Sequence, residues 1–132
     1  MKNPKFDFIF LGQSILKYQV PIDIFYSINQ IYEQNFNSLH PANKQLVGKI
    51  EKEHSLFYQG KDESKVKRHN ILPISITDYF LKTFKHYLSW NKIREYDLHM
   101  NSIWINEMKE HEYNPAHVHR GTLFTGLSSV MI

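Results

Sequence analysis

Between residues 97 and 108 the chain changes its hydrophobic period. Leu98, Met100, Ser102, Trp104, Asn106 and Met108 alternate with His99, Asn101, Ile103, Ile105 and Glu107. Period two over this length predicts a strand. It also restricts the fold, because apolar residues fall on both faces and each face needs a cover. Upstream the period is that of a helix. Ile24, Phe25, Ile28, Ile31, Tyr32 and Phe36 predict an amphipathic helix over 21–36, opened by Pro21. Phe80, Leu81, Phe84, Tyr87 and Leu88 predict a second over 76–91, with Ser75 or Thr77 as its cap.

The remaining segments follow from turn signals. Residues 6–11 and 15–20 read as two strands around Gly12-Gln13-Ser14. Residues 37–43 and 59–70 read as polar loops, and 46–50 as a short apolar strand or buried turn. After a loop over 109–116, His117-Val118-His119 is a short strand and 125–132 begins another. The predicted order is two strands, a helix, a loop, a helix, then strands only. That is an α+β pattern in one domain, with 1–96 as its helical part and 97–132 as its late strands.

Composition narrows the function classes. The 132 residues are 42% hydrophobic and 14% aromatic, enough for a core, and the net charge is only +3. The densest basic stretch, Lys65-Val66-Lys67-Arg68-His69, has no interleaved aromatics, so nucleic-acid binding is not expected. The absence of cysteine excludes disulfides, zinc-thiolate sites and thiol nucleophiles, and it fits a cytoplasmic protein. The apolar run after Lys5 is broken by Asp7 and is too short for a signal peptide or a membrane span. There is no Gly-rich phosphate loop, nucleophile elbow or His-Glu-x-x-His motif.

The histidines carry the remaining chemistry. In a strand, His117 and His119 project to one face while Val118 points away. Two adjacent imidazoles suit Fe, Zn, Cu or Ni, although a His-x-His pair also occurs on exposed strands without any role. His111 lies close enough in sequence to swing toward the pair, and Glu107 is a more remote candidate ligand. His40, His54, His69, His86 and His99 have no partner spacing and read as surface or helix-face residues.

The string from Trp104 onward carries more than its spacing. Trp104-Ile105-Asn106, a polar loop, Tyr113-Asn114, His117-Val118-His119, Gly121-Thr122 and Thr125-Gly126-Leu127 resemble the 2-oxoglutarate/Fe(II) oxygenases of marine phages and bacteria, within the prolyl-hydroxylase-like superfamily. The likeness is specific over about 104–130. It implies N-terminal helices packed on a double-stranded β-helix (jelly-roll) core, with Fe(II) and 2-oxoglutarate as cofactors and a peptide or small-molecule substrate. Hydroxylation of a C–H bond coupled to conversion of 2-oxoglutarate to succinate is the implied reaction. His117 matches the first metal ligand, and His119 stands where the family's carboxylate ligand is usual. Trp104 and Asn106 share a strand face and would line the cofactor pocket. Ordinary core packing also accounts for Trp104, but Asn106 in an apolar core needs a hydrogen-bond partner.

Two departures stand out: Arg120 replaces a usual proline, and Ser128-Ser129 replace bulky aromatics. The distal histidine and the cation that grips 2-oxoglutarate normally lie further along the chain. Nothing after His119 stands in for them, and 127–132 is largely apolar to its last residue. The expectation is therefore a truncated oxygenase domain with an incomplete jelly roll. Two alternatives are a cupin-like metal protein, which 120–126 disfavours by holding no acid, and a non-catalytic phage accessory β-domain with incidental histidines.

Overall fold

Two prolines open the two long helices. The computed structural model describes residues 5–10, 14–41, 48–59, 69–114 and 127–132. Helix α1 (Ile22–Asn35) begins after Pro21 and α2 (Ile74–Trp90) after Pro73. Neither has a side-chain cap. Thr77, expected as a cap, instead lies within α2 and donates Oγ1 to Ile74 O at 3.0 Å. Proline serves at the start because its fixed φ is already compatible with a helix entry. A short 3-10 turn, Phe36–Ser38, closes α1.

Strands β1 (Phe6–Phe10) and β2 (Ser14–Tyr18) form the expected antiparallel hairpin, with Phe6 opposite Tyr18. A two-stranded hairpin is marginal by itself. This one is fastened to α2. Tyr18 Oη and His86 Nδ1 are 2.7 Å apart, and Phe6 meets His86 and Trp90 edge-on at 5.2 and 5.4 Å. At its other end Tyr87 Oη donates to Ser14 O at 3.0 Å, and Ser14 Oγ donates to Asn91 Oδ1.

The second sheet has β4 (Lys52–Tyr58) at its centre. Strand β6 (Ser102–Glu107) runs antiparallel along one edge of β4. The two-residue strands β3 (His40–Pro41) and β5 (His69–Asn70) lie end to end along the other edge. Three strands of this sheet therefore lie between α1 and α2, whereas the sequence reading placed only loops and one short segment there. The period-two signal at 97–108 is a strand only over Ser102–Glu107. Residues 127–132, part of an expected strand, form none, and Met131 packs against the core.

A bulge in β4 decides which side chains face the helices. Ser55 pairs with Trp104 and Phe57 with Ile103, leaving Leu56 as the extra residue. Leu56 is fully buried and joins Ile28 and Tyr32 of α1, Ile76 of α2, Phe57 and Leu72 in one core. Ile103 and Ile105 pack against that cluster from β6. The result is a mixed helix-and-sheet fold, α+β in class, with two helices and two antiparallel sheets among the described residues. No helix among them is long and apolar enough to cross a membrane.

Candidate functional site: the polar face of the second sheet

Because the helices cover the face bearing Phe57, Ile103 and Ile105, the alternate residues of β4 and β6 form the opposite face. Pairing places Glu53 against Asn106, Ser55 against Trp104, and Tyr58 against Ser102. The outer strands add His40 opposite Ser55 and His69 opposite Tyr58. One face thus collects a carboxyl, an amide, hydroxyls, an indole and two imidazoles, while its reverse carries Phe57, Ile103 and Ile105 toward one end and Lys52, His54 and Glu107 toward the other.

Glu53 is only 5% exposed and Ser55 only 8%, although both lie on the side away from the helices. A buried carboxylate is costly unless hydrogen bonds compensate it. Asn106 supplies one: with its amide nitrogen turned toward the acid, Nδ2 donates to Glu53 Oε2 at 2.8 Å and to Ile105 O at 3.3 Å. This is the partner that an Asn at this position requires. Trp104 stays 36% exposed beside Ser55, so it is not packed as an ordinary core residue. His69 Nε2 lies 3.2 Å from Ser55 O and stacks with Tyr58. Ser38, His40, Ser55, His69 and Ile71 border an open cleft of about 390 Å³.

Glu107 lies on the other face. Tyr32 Oη donates to its Oε1 at 2.6 Å, and Lys52 Nζ lies 3.1 Å from Oε2. The Tyr32 bond, followed by Lys52, holds the Glu107 carboxyl below its ordinary pKa. Burial, then the bond to Glu107, pushes the Tyr32 hydroxyl well above the usual phenol range. His54 completes this cluster against Tyr32 and Phe36, and burial lowers its pKa. The cluster ties α1 to the sheet and takes Glu107 out of the candidate ligands. His111 is exposed in a turn, 3.5 Å from Glu110, and His99 is exposed beside Asp97.

Sequence reasoning therefore brought together Trp104 and Asn106 correctly on one face, but missed Glu53, Ser55, His40 and His69 beside them. His117 and His119 lie outside the described residues. Among the described residues no group of three or more His, Cys, Asp or Glu side chains gathers closely enough to hold a metal ion. No family model matches the chain, and no curated protein or solved structure matches it either.

Proposed function

We propose that this chain belongs to an Fe(II)/2-oxoglutarate-dependent oxygenase in which the polar sheet face borders the metal centre. His117 and His119 would hold the metal, and Trp104 and Asn106 would line the cofactor pocket. The observation that carries the reading is the pair Asn106–Glu53 beside Trp104, on the face that the helices leave uncovered. Histidine metal sites depend on a second layer of carboxylates and amides that orients the ligands, and this face offers that layer. In the resembling family, Fe(II) with 2-oxoglutarate supplies the O₂ activation that hydroxylation needs.

The residues of the face have defined tasks in this reading. Asn106 fixes the Glu53 carboxylate in one orientation. Glu53 presents a poorly solvated carboxyl group to the pocket side of the sheet. Trp104 presents a broad apolar surface that keeps water from the pocket wall. Its substrate is a peptide or small molecule with an oxidisable C–H bond.

Anaerobic Fe(II) titration, with and without 2-oxoglutarate, tests the reading on the whole chain and on His117→Ala and His119→Ala. The expected result is Fe(II) binding that either substitution weakens. Binding unchanged by both substitutions, or no binding by the folded chain, would contradict it.

A further inference from the structure

The turn that ends α2 carries a charged residue where glycine is usual. Lys92 has a φ of 59°, in the left-handed region that a Cβ disfavours. Its N–H donates to Ser89 O, and Ile93 N donates to Leu88 O, each at 3.0 Å. These two bonds are the Schellman closure of a helix, which most often has glycine at this position. Asn91 fixes the turn from the side. Its Nδ2 donates to Tyr87 O at 2.8 Å, and its Oδ1 accepts from Ser14 Oγ of the hairpin.

This fastened turn borders a cleft of about 330 Å³ lined by Ser89, Lys92, Ile93, Arg94 and Tyr96. Two cations and two hydroxyls meet there, and no acid lines it among the described residues. Asp97, close in sequence, lies 2.9 Å from His99 instead. Neither Lys92 nor Arg94 has an ion-pair partner among the described residues. Complementing the helix dipole accounts for one cation at this end, but not for a second on the same cleft. The carbonyls of Tyr87, Leu88 and Ser89, which would repel an anion, are already taken by the N–H groups of Asn91, Ile93 and Lys92.

We propose that this cleft binds the phosphate group of a small phosphate ester. Lysine and arginine donate charge-assisted hydrogen bonds to phosphate oxygens, and the arginine fork suits two of them at once. The hydroxyls of Ser89 and Tyr96 add neutral donors. Ile93 and the Tyr96 ring supply an apolar wall for the organic part, so an ester fits better than free phosphate. The volume lies at the small end of the range for ligand pockets. This site is separate from the His117–His119 reading and does not rest on it.

Calorimetric titration of the whole chain with phenyl phosphate, without added metal, tests the site. Inorganic phosphate and benzyl alcohol are the comparison ligands. Phenyl phosphate is expected to bind more tightly than inorganic phosphate, and benzyl alcohol not to bind. Lys92→Gly should weaken phenyl phosphate binding by about tenfold or more, the worth of one charged hydrogen bond. The same variant should melt at the wild-type temperature or above, because glycine relieves the left-handed position. Misfolding cannot then account for the lost affinity. Arg94→Gln should weaken binding as much. Lys17→Ala, exposed on the hairpin face turned away from α2, should leave it unchanged. Absence of phenyl phosphate binding, equally tight binding of inorganic phosphate, or an equal loss in Lys17→Ala would overturn the proposal. So would unchanged affinity in Lys92→Gly and Arg94→Gln.

Discussion

Glu53 and Asn106 face each other across β4 and β6, with Asn106 Nδ2 donating to Glu53 Oε2 at 2.8 Å. The acid is almost completely buried on the face that the helices do not cover. This pairing sets a buried acid–amide contact on that face, and the functional reading depends on it.

Replacing Asn106 should therefore be costly. Asn106→Ala removes a donor from a buried carboxylate, and the expected loss is about 1–3 kcal/mol. Asn106→Asp should cost more at neutral pH, because it sets a second carboxylate against the first. Urea denaturation of the three proteins checks the order.

The Tyr32–Glu107 bond makes a pH-dependent prediction. The Glu107 pKa is depressed below its ordinary 4.5, mainly by Tyr32 and then by Lys52. A depressed carboxylate contributes stability above its unfolded pKa and loses it as pH falls through the folded value. Tyr32→Phe should thus destabilise by about 1 kcal/mol at neutral pH, since the partly exposed carboxylate recovers some solvation. The difference from wild type should shrink as pH falls below about 4.5, where Glu107 is increasingly protonated in both states. Denaturation curves between neutral and acidic pH measure it.

Leu56 is the bulge residue and has no accessible surface. Leu56→Ala leaves a cavity between both helices and the sheet, and should cost about 2–5 kcal/mol. A drop in thermal stability without change in helix content is the expected observation.

The β1–β2 hairpin depends on α2 for its order. Phe6→Ala removes the ring that meets both His86 and Trp90. Amide hydrogen exchange in 6–18 should then accelerate while 52–58 and 102–107 remain protected, as expected for local rather than global opening. Equal acceleration in both sheets would mean that the hairpin is part of the main cooperative unit.

Much of this architecture was legible from periodicity. Both helices and the β1–β2 hairpin lie close to their expected positions, and β6 lies within the predicted 97–108. Long amphipathic helices repeat their signal over many residues, so local exceptions do not hide them. The central strand was not legible. Its sequence, Lys52-Glu53-His54-Ser55-Leu56-Phe57-Tyr58, starts polar and then runs apolar, because the bulge at Leu56 breaks the alternation. His40 and His69 escaped for a different reason: strands of two residues carry no period, and only pairing with β4 brings these rings together. Glu53 carries no local signal of its own, because its partner Asn106 lies far away in the sequence and only the β4–β6 pairing sets the two side by side. Trp104 and Asn106 were legible as a pair because an uninterrupted strand keeps i and i+2 on one side.

The most direct test of the central claim uses the two indoles, Trp90 and Trp104, as reporters. Trp90 lies at the hairpin end of α2, whereas Trp104 lies on the polar face. Anaerobic addition of paramagnetic Fe(II) to ¹⁵N-labelled protein should broaden the Trp104 indole and Asn106 amide signals and leave Trp90 sharp. Adding His117→Ala should restore the broadened signals. Sharp Trp104 and Asn106 signals at saturating Fe(II), or broadening that survives His117→Ala, would contradict a metal centre beside this face.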